Sequence, residues 1–473
     1  MKEKDKDNEL YHINFKSFIN VIIILLAFIV VAGILVYVIP QGEIDSSGVY
    51  HEIVGERYSI WKIIFSPFYM LINTSDLLRF LGLSMFIVFI SGAFQIMKDS
   101  NGMNVLIKGL VNRFEKKKML LVLIITLFFM SFGSFFGVFE ETIILIPLIV
   151  GLSLSLGWDT LTGLGMSLLA VGLGFGAAIT NPFSVGVVSD ILHISALDGI
   201  WYRIVIFVVT YIILNLFLYL HIKKIEKNKE SSISYYVDKD KDETYAIDEL
   251  KNTKFDNEKR IGIIYSVFFI GVLVVLVLSY VVKALDGLSI PILSAYFLIF
   301  GTICGLLITK NKKDVFKSML VGFKSALPAL AMILLASTAS FLITDAKIAP
   351  TITNFCVNLI NNTGSYLGIL IIFLFVIILE FFISSSTAKA VLVMGILGSI
   401  TSYVGITNNS LLLAYIMGDG FTNIVFPTSP VLLISLAMVG LKLKDWYKWV
   451  KWLITILMCL NILYLLFGVL IGY

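Results

Sequence analysis

Five ionisable side chains interrupt long apolar stretches of this 473-residue chain. They are four acids and one base: Glu140, Glu141, Glu380, Lys389 and Asp419. A charge at the centre of a bilayer costs about 2.5–3.5 kcal/mol even on the scale from insertion experiments, so such residues mark internal ion pairs or binding sites. Lys389 either neutralises Asp419 or Glu380, or it contacts a ligand. The acids outnumber the base, and this excess of negative charge favours a ligand that carries a positive group.

These charges lie at polar interruptions that occur in pairs. The first half contains SFGSFFGVFEET at 131–142 and GLGFGAAITNPFS at 172–184; the second contains FFISSSTAKA at 381–390 and GDGFTNIVFPTSP at 418–430. An offset of 246 residues relates Gly172 to Gly418, Gly174 to Gly420, Phe175 to Phe421, and Phe135-Phe136 to Phe381-Phe382. Unwound backbone at membrane depth occurs only where protein or a water-filled cavity satisfies it. Paired interruptions in two repeats therefore predict the substrate site of a secondary transporter.

The predicted site consists of the polar and helix-breaking residues at these interruptions. Substrate contacts are assigned to Ser134, Gly137, Glu140, Glu141, Thr142, Asn181, Pro182, Ser384, Ser385, Ser386, Thr387, Lys389, Asp419, Thr422, Asn423, Pro427, Thr428 and Ser429. Ion coupling is assigned to Glu141, Thr180 and Asp419. Half-helix ends supply free N–H groups for a carboxylate, and unwound carbonyls supply oxygens for a cation. The alternative for any one hydroxyl is a hydrogen bond to its own helix, which is common in membrane spans.

The composition indicates a membrane protein. Of the residues, 58% are hydrophobic and 14% are charged, and the mean hydropathy is +0.94. A soluble protein of this length needs more charge to cover its surface. No basic patch indicates nucleic acid. Cys304, Cys356 and Cys459 fit neither a disulfide framework nor a metal site, and the four histidines form no catalytic or metal motif. We therefore predict neither an enzyme nor a cofactor, apart from a coupling Na⁺ or H⁺.

Basic loops decide the predicted topology. The predicted spans are 18–39, 77–98, 160–190, 201–221, 261–283, 290–309, 322–344, 408–437 and 447–470. Two further apolar stretches, 118–157 and 364–404, each have a polar tip and are predicted to be re-entrant hairpins, with arms of about 10–15 residues. Because Lys and Arg clusters belong on the cytoplasmic side, the N-terminus is cytoplasmic and the hairpins enter from opposite faces. The fold prediction is an all-α polytopic membrane protein with about nine transmembrane helices, two opposed re-entrant hairpins and two inverted repeats.

A charged linker divides the chain. Residues 1–17 are a cytoplasmic tail, 18–221 the first repeat, 222–260 a cytoplasmic linker and 261–473 the second repeat. Each repeat has one hairpin followed by one discontinuous helix, at 160–190 and at 408–437. The linker holds ten basic and ten acidic residues and few apolar ones, so it is expected to be flexible.

These motifs resemble those of one transporter family. The resemblance is carried by Gly137 through Glu140-Glu141 to Pro147, by Asn181-Pro182-Phe183, by Ser384-Ser385-Ser386, and by Gly418 through Asn423 with Pro427-Thr428-Ser429. They are similar to the anaerobic dicarboxylate carrier-like (DcuC-type) group of the ion transporter superfamily. Within that group the chain resembles the YfcC-type proteins, described as basic amino acid antiporters and including arginine/ornithine exchangers. The resemblance covers nearly the whole chain except the N-terminal tail and the linker.

The resemblance implies a scaffold domain that dimerises and a transport domain that moves by elevator-type alternating access. In relatives, hairpin tips rich in Ser, Asn and Thr hold the substrate carboxylate and, with the broken-helix loops, sodium ions. Glu140 and Glu141 depart from that pattern at the first tip, which counts against sodium coupling and a dianionic substrate.

We therefore predict a secondary transporter of a small carboxylate-bearing metabolite in the inner (cytoplasmic) membrane. Exchange of basic amino acids of the arginine/ornithine type is the leading hypothesis. Sodium- or proton-coupled transport of four-carbon dicarboxylates or other organic anions is the alternative. The expected partners are the substrate, the lipid bilayer and a second copy of the chain, with no nucleic acid.

Overall fold

The computed structural model describes residues 15–45, 50–53, 55, 58–239, 253–282, 288–361 and 363–473. The predicted tail falls almost wholly outside this set, and so do linker residues 240–252. Within it the chain is almost entirely helical, as predicted. Two short strands, β1 (Gly42–Ile44) and β2 (Tyr50–Glu52), pair antiparallel.

Twelve helices precede the undescribed part of the linker, and they form the first half of the chain. They are α1 Phe15–Val38, α2 Ile60–Ile64, α3 Ser66–Ile72, α4 Thr74–Asp99, α5 Gly102–Phe114, α6 Lys118–Ser131, α7 Ile146–Ser155, α8 Thr160–Leu164, α9 Ala170–Gly176, α10 Val187–Ile191, α11 Ile200–Lys227 and α12 Tyr235–Asp238. Single π-helical turns are Phe132–Phe136, Gly165–Leu169 and Pro182–Gly186, and 3-10 turns are Glu115–Lys117, Glu140–Leu145 and Lys229–Ser231.

Ten helices follow in the second half of the chain. They are α13 Glu258–Val281, α14 Ser289–Ile308, α15 Lys312–Ser325, α16 Leu327–Asp345, α17 Ala349–Ile360, α18 Ser365–Phe382, α19 Ser386–Val404, α20 Asn408–Gly420, α21 Pro430–Met438 and α22 Leu443–Leu470, with a 3-10 turn at Phe421–Ile424.

Seven helical segments within the described residues are long and apolar enough to cross a membrane. They are Phe80–Asp99, Lys118–Phe136, Ile200–Lys227, Ile290–Ile308, Lys312–Asp345, Ser365–Phe382 and Leu443–Leu470. Only 28% of the apolar window in Leu443–Leu470 is buried inside the protein, as expected for a helix that faces lipid. Shorter apolar helices, including Thr160–Gly176 and Ser386–Gly398, pack among them. The chain is a polytopic helical membrane protein.

Both predicted discontinuous helices are broken. The helix from Thr160 ends at Gly176 and resumes at Pro182, while α20 gives way to a 3-10 turn and helix resumes at Pro430. Asn181 Oδ1 accepts the Phe183 N–H at 2.9 Å, and Ser429 Oγ accepts the Leu432 N–H at 3.5 Å. Each cap is followed by a proline, which suits the start of a helix because no N–H is needed there. The local sequence therefore explains both restarts.

The broken helices meet where neither has a side chain. A Cβ added to Gly420 would lie 2.5 Å from the backbone N and Cα of Gly176. A Cβ added to Gly174 would lie 2.1 Å from the carbonyl oxygen of Met130 in α6. Only glycine allows backbones to approach so closely. The glycines that reveal the two halves in the sequence therefore set the contacts of α9 with α20 and α6.

The first arm of each predicted hairpin is longer than expected. Helix runs without interruption from Lys118 to Phe136 and from Ser365 to Phe382, spans of 19 and 18 residues. Neither stretch contains a proline, which would end the helix earlier. The one charged residue close to a tip is Glu380, and its charge is paired with Lys389.

The second arm of the first hairpin starts later than expected. The sequence predicts a helix from near Glu141, but a 3-10 turn comes first and α7 begins at Ile146. Pro147 explains the difference, since inside a longer α-helix it would remove a hydrogen bond and clash with the preceding turn. At the first turn of α7 it has neither effect.

Two amphipathic helices, α5 and α17, lie where no element is predicted. α5 buries Met103, Val105, Ile107 and Val111 and carries Arg113 in its last turn. Such a helix has one apolar face only, so it does not register as a span. Of the basic residues in this segment, Lys108 and Arg113 lie on α5, and Lys108 is largely buried.

The first part of the linker, residues 228–239, is folded rather than flexible. After α11 it forms a 3-10 turn and α12, and Ser232, Ser234 and Asp238 are buried. Asp238 accepts hydrogen bonds from the backbone N–H and the hydroxyl of Thr160, at 3.1 and 2.5 Å. We call this segment the docked linker. Its partners are far away in sequence, so composition alone could not predict the docking.

Candidate functional site

A cavity of about 90 Å³ lies between the helix interruptions and a second group of helices. One wall is formed by residues of the interruptions: Phe139, Glu140, Ser384, Asn423, Ser429, Pro430 and Val431. The other wall comes from α4, α14 and α16: Phe80, Leu83, Ile290, Ile333, Ser337 and Ser340. We call this space the interface cavity. It brings together four predicted site residues, namely Glu140, Ser384, Asn423 and Ser429.

The two adjacent acids of the first tip lie in different surroundings. Glu140 is partly exposed and lines the interface cavity, whereas Glu141 is buried, with 3% of its surface exposed. Among the described residues around the cavity, Glu140 is the only ionisable one. No described lysine, arginine or histidine forms an ion pair with it. Its carboxylate is therefore the charged group that a ligand in this cavity would meet.

Glu380, Lys389 and Asp419 form a buried ion cluster, which we call the Lys389 triad. Lys389 Nζ lies 2.7 Å from Asp419 Oδ1 and contacts Glu380 Oε2. It also donates to the carbonyl oxygen of Ile383 at 3.3 Å. The side chains of Lys389 and Asp419 are 0% exposed, and that of Glu380 is 2% exposed. Of the two interpretations of Lys389, the geometry matches internal pairing, and the lysine pairs with both acids.

Neutral groups hold the remaining polar atoms of Asp419. Ser386 Oγ, at the start of α19, donates to Asp419 Oδ2 at 2.7 Å. Asn423 Nδ2 donates to the Asp419 backbone carbonyl at 3.0 Å. Thr422 instead bonds the Gly418 carbonyl of its own helix at 2.9 Å, the alternative expected for a membrane hydroxyl. Asp419 is thus positioned by the second hairpin and by its own broken helix.

Predicted site residues of the first half tie the first tip to the first helix break. Ser134 Oγ donates to the Ala177 carbonyl at 2.8 Å, and the Ser134 carbonyl accepts the N–H groups of Thr180 and Asn181 at 3.2 and 3.1 Å. Gly137 has φ +67°, and a Cβ there would lie 2.3 Å from Asn181 Oδ1. These residues do not line the interface cavity. Their contacts hold the unwound backbone in place.

The other predicted residues also lie outside the lining of the cavity. Their hydroxyl groups make hydrogen bonds that are local or join the two halves. Thr142, Thr180 and Thr387 donate to the carbonyls of Phe139, Phe135 and Phe183, at 2.6, 3.2 and 3.4 Å. Ser385 accepts the Ala388 N–H at 3.4 Å. Pro182 opens the π turn before α10, and Pro427 and Thr428 belong to the unwound segment before α21.

The prediction missed the wall that faces the interruptions. Ser337 and Ser340 lie on α16 and line the interface cavity opposite Glu140 and Ser384. The available signal was two serines one helical turn apart within the apolar span 322–344, which places both on one face. Nothing local distinguishes such a pair from serines that bond their own helix.

Two broken helices, and a cavity lined by both hairpin tips and by the second helix break inside a polytopic helical bundle, are the architecture of a membrane transporter. The family described as DcuC, C4-dicarboxylate anaerobic carrier, matches residues 18–470, and the chain belongs to this family. The chain is therefore a multi-pass membrane transporter and not an enzyme.

Two relatives match most of the chain. A protein of Escherichia coli (strain K12) named "Putative basic amino acid antiporter YfcC" is 26% identical over 432 residues, which cover 86% of this chain and 81% of that protein. An uncharacterized protein of Haemophilus influenzae (strain ATCC 51907 / DSM 11121 / KW20 / Rd) is 25% identical over 379 residues, covering 80% of this chain and 73% of that one.

Two solved structures are similar over nearly the full length. The YdaH transporter of Alcanivorax borkumensis has a TM-score of 0.44 and 15% identity, covering 96% of this chain and 98% of that one. MtrF of Neisseria gonorrhoeae, described as illuminating a class of antimetabolite efflux pumps, has a TM-score of 0.43 and 15% identity, covering 95% and 94%.

Proposed function

We propose that the protein exchanges amino acids with a cationic side chain, of the arginine and ornithine type, across the cytoplasmic membrane. The observation that carries the proposal is the interface cavity, in which Glu140 is the one ionisable residue among the described lining. Opposite charges attract strongly in such a low-dielectric space, so Glu140 stabilises a bound cationic group and destabilises a bound dianion. The name of the Escherichia coli relative points to the same class of substrate.

The carboxylate end of such a substrate has a partner on the same wall. α21 starts at Pro430 behind the cap Ser429, and Ser429, Pro430 and Val431 line the cavity. Pro430 has no N–H, and the Leu432 N–H is bonded to Ser429 Oγ. The Val431 N–H and the partial positive charge of the helix start are therefore what a carboxylate meets here. An amino acid with a cationic side chain then has one end at Glu140 and the other at α21.

The mechanism that we propose is elevator-type alternating access. The hairpins and broken helices form the moving unit, and α4, α14 and α16 form the stationary scaffold, since the cavity separates these two groups. The sequence offset of 246 supports two repeats, which we propose are inverted and have the N-terminus in the cytoplasm. We also propose that the scaffold forms a homodimer, which the mass of the detergent-solubilised protein by light scattering would test.

A dicarboxylate is the second candidate substrate. The family carries the description C4-dicarboxylate anaerobic carrier, and Ser384, Asn423 and Ser429 offer neutral donors in the cavity. Binding of a dianion there would require protonation of Glu140 or a bound cation, because two negative charges at close range repel. The choice between the two substrates therefore depends on the charge of Glu140.

The test is uptake of labelled arginine into proteoliposomes loaded with ornithine, with empty and succinate-loaded vesicles in parallel. Uptake that occurs only with ornithine inside is the expected result. Uptake of labelled succinate, and of no arginine under any condition, would replace our proposal with the dicarboxylate alternative.

A matched pair of variants connects this activity to the cavity. Glu140→Gln keeps the shape of the side chain and removes its charge, so we expect arginine uptake to fall by at least about tenfold, equivalent to about 1.4 kcal/mol. Glu52→Gln removes a charge from the exposed strand β2 and should leave uptake unchanged. Equal rates for the two variants would contradict the role of Glu140.

A further inference from the structure

We propose that the ammonium group of Lys389 occupies the position of a coupling cation, so that the second helix break carries its own positive charge and needs no sodium ion. The inference rests on the transport function proposed above and concerns the way in which transport is coupled.

The oxygen atoms around Lys389 Nζ are of the kind that holds an alkali cation in a transporter. They are a carboxylate oxygen of Asp419, a carboxylate oxygen of Glu380 and the backbone carbonyl of Ile383. Ile383 is the C-cap residue directly after α18, and Asp419 lies in the last turn of α20, directly before the break. In transporters, sodium is coordinated by such C-terminal helix ends and unwound carbonyls. The ammonium group donates hydrogen bonds to Glu380 and to the Ile383 carbonyl, and it forms an ion pair with Asp419 Oδ1 at 2.7 Å.

The charge of this cluster requires a positive partner. Asp419 and Glu380 are both buried, with 0% and 2% exposure of their side chains, so water does not stabilise their charges. A buried carboxylate without a partner is strongly destabilising, and two near one another are more so. The positive charge must therefore come from a proton, from a bound cation or from the protein. Lys389 supplies it on a side chain that is itself 0% exposed.

The first half contains none of this set. At the offset of 246, Glu380 corresponds to Ser134, Lys389 to Ile143 and Asp419 to Leu173. Ser134 bonds the Ala177 carbonyl, and Ile143 is a buried apolar residue. All three ionisable residues are thus absent together from the matching break. The two acids and the lysine therefore occur together or not at all, as expected if the acids form a cation site and the lysine supplies its cation.

The first experiment uses the unmodified protein. Ornithine-driven arginine exchange is measured in proteoliposomes with NaCl, KCl or choline chloride of equal concentration on both sides. We expect equal rates in the three salts. A requirement for sodium would overturn the proposal, because a site filled by Lys389 has no place for the ion.

The second experiment removes the built-in cation. Lys389→Ala leaves two buried acids without a base, so we expect its exchange rate in choline chloride to fall by at least about tenfold and to recover in part with NaCl. Its melting temperature should also rise with NaCl concentration and not with choline chloride, as binding of an ion to the folded state requires. A variant that shows no sodium-specific response in either measurement would overturn the proposal.

Lys108→Ala is the matched control. Lys108 is also a largely buried lysine, 2.9 Å from Glu258, but it lies on α5, outside both helix breaks. Its melting temperature should not respond to sodium. The same sodium-specific rise in this control would show a general salt effect and overturn our interpretation.

These outcomes separate the inference from the proposed function. If the unmodified protein exchanges no arginine in any salt, the proposed substrate is wrong, while the melting temperatures of Lys389→Ala still decide whether a cation replaces the lysine. If Lys389→Ala cannot be purified in folded form, the comparison of salts with the unmodified protein decides instead.

Discussion

Asp419 and Glu140 show how differently two acids in apolar sequence are used. Asp419 is held by Lys389 and Ser386 and has no contact with solvent, while Glu140 faces the interface cavity. The sequence predicts that both are functional, because charges at membrane depth are costly. It leaves open which acid pairs with Lys389, since a pairing partner 30 residues away along the chain depends on how two helices pack.

Loss of one charge from the Lys389 triad should cost stability. In Asp419→Asn the ammonium group keeps Glu380 as its only charged partner, and breaking a buried ion pair typically costs about 3–5 kcal/mol. We expect a lower melting temperature and no transport, measured on purified protein and in proteoliposomes. Asp99→Asn is the control: Asp99 is exposed at the end of α4 and accepts a hydrogen bond from Gln95 at 3.1 Å. Transport that survives in the first variant or disappears in the second would contradict this assignment.

At the scale of elements, the breaks were predictable and the arms were not. Asn181-Pro182 and Ser429-Pro430 are local signals for a helix start, and the structure has a helical segment starting at each. The late start of α7 follows from Pro147, which is also a local signal. The amphipathic helices α5 and α17 were missed because a search for apolar spans does not detect a helix with one apolar face.

The contact between the two broken helices should not tolerate a methyl group. Gly420→Ala places a Cβ 2.5 Å from the backbone of Gly176, and neither backbone can move without repacking. Overpacking of this kind costs about 1–3 kcal/mol or more, so we expect a lower melting temperature and less folded protein.

Gly395→Ala is the matched control for that substitution. It lies in α19, and a Cβ there meets nothing within 4 Å. Alanine in a helix interior is more favourable than glycine by about 0.5–1 kcal/mol, so this variant should be as stable as the parent or more so. Equal destabilisation by both variants would show that the close approach of the broken helices is not the cause.

At the scale of the whole molecule, the proposed motion can be blocked covalently. Ser337 and Ser384 lie on opposite walls of the interface cavity, which separates the proposed scaffold from the proposed moving unit. In a background with Cys304, Cys356 and Cys459 replaced, we expect Ser337→Cys/Ser384→Cys to lose exchange after oxidation and to regain it after reduction. Each single variant should be unaffected by the oxidant. Full exchange by the crosslinked protein would rule out sliding at this interface.

The docked linker should respond to pH. Burial raises the pKa of Asp238 above its ordinary value of 3.8, the hydrogen bonds from Ser234 and Thr160 oppose the rise, and the charge of Asp159 adds to it. For an acid with a raised pKa in the folded state, the stabilising contribution is complete below the unfolded pKa and is lost as pH rises through the folded pKa. Docking should therefore weaken as pH rises from 3.8 through the raised pKa of Asp238.

Hydrogen–deuterium exchange of residues 229–239 measures this effect. The unmodified protein and Asp238→Asn are compared at each pH, so that the intrinsic exchange rate cancels. The protection of the unmodified protein should decrease as pH rises from 3.8 through the raised pKa of Asp238, whereas Asp238→Asn, which cannot ionise, should show no such decrease. A constant ratio between the two proteins would exclude Asp238 as the titrating group.

The other acid of the dock has the opposite tendency. Burial works to raise the pKa of Asp159, but His221, Ser232 and Thr162 together hold it below the ordinary value. The Trp449 indole N–H donates to His221 Nδ1 at 3.1 Å, and His221 Nε2 lies 3.0 Å from the Asp159 carboxylate and donates to it. Asp159 therefore stays ionised in the pH range in which Asp238 titrates.

Because of the docked linker, the two halves of the chain are held together by more than their covalent connection. Trp449 and Asp445, both on α22, already bond His221 and Tyr236 of the first half. The two halves thus recognise each other through contacts that do not use the chain between Lys239 and Thr253. A gene divided there would encode two separately translated polypeptides, and each would carry one side of the contacts that allow them to associate.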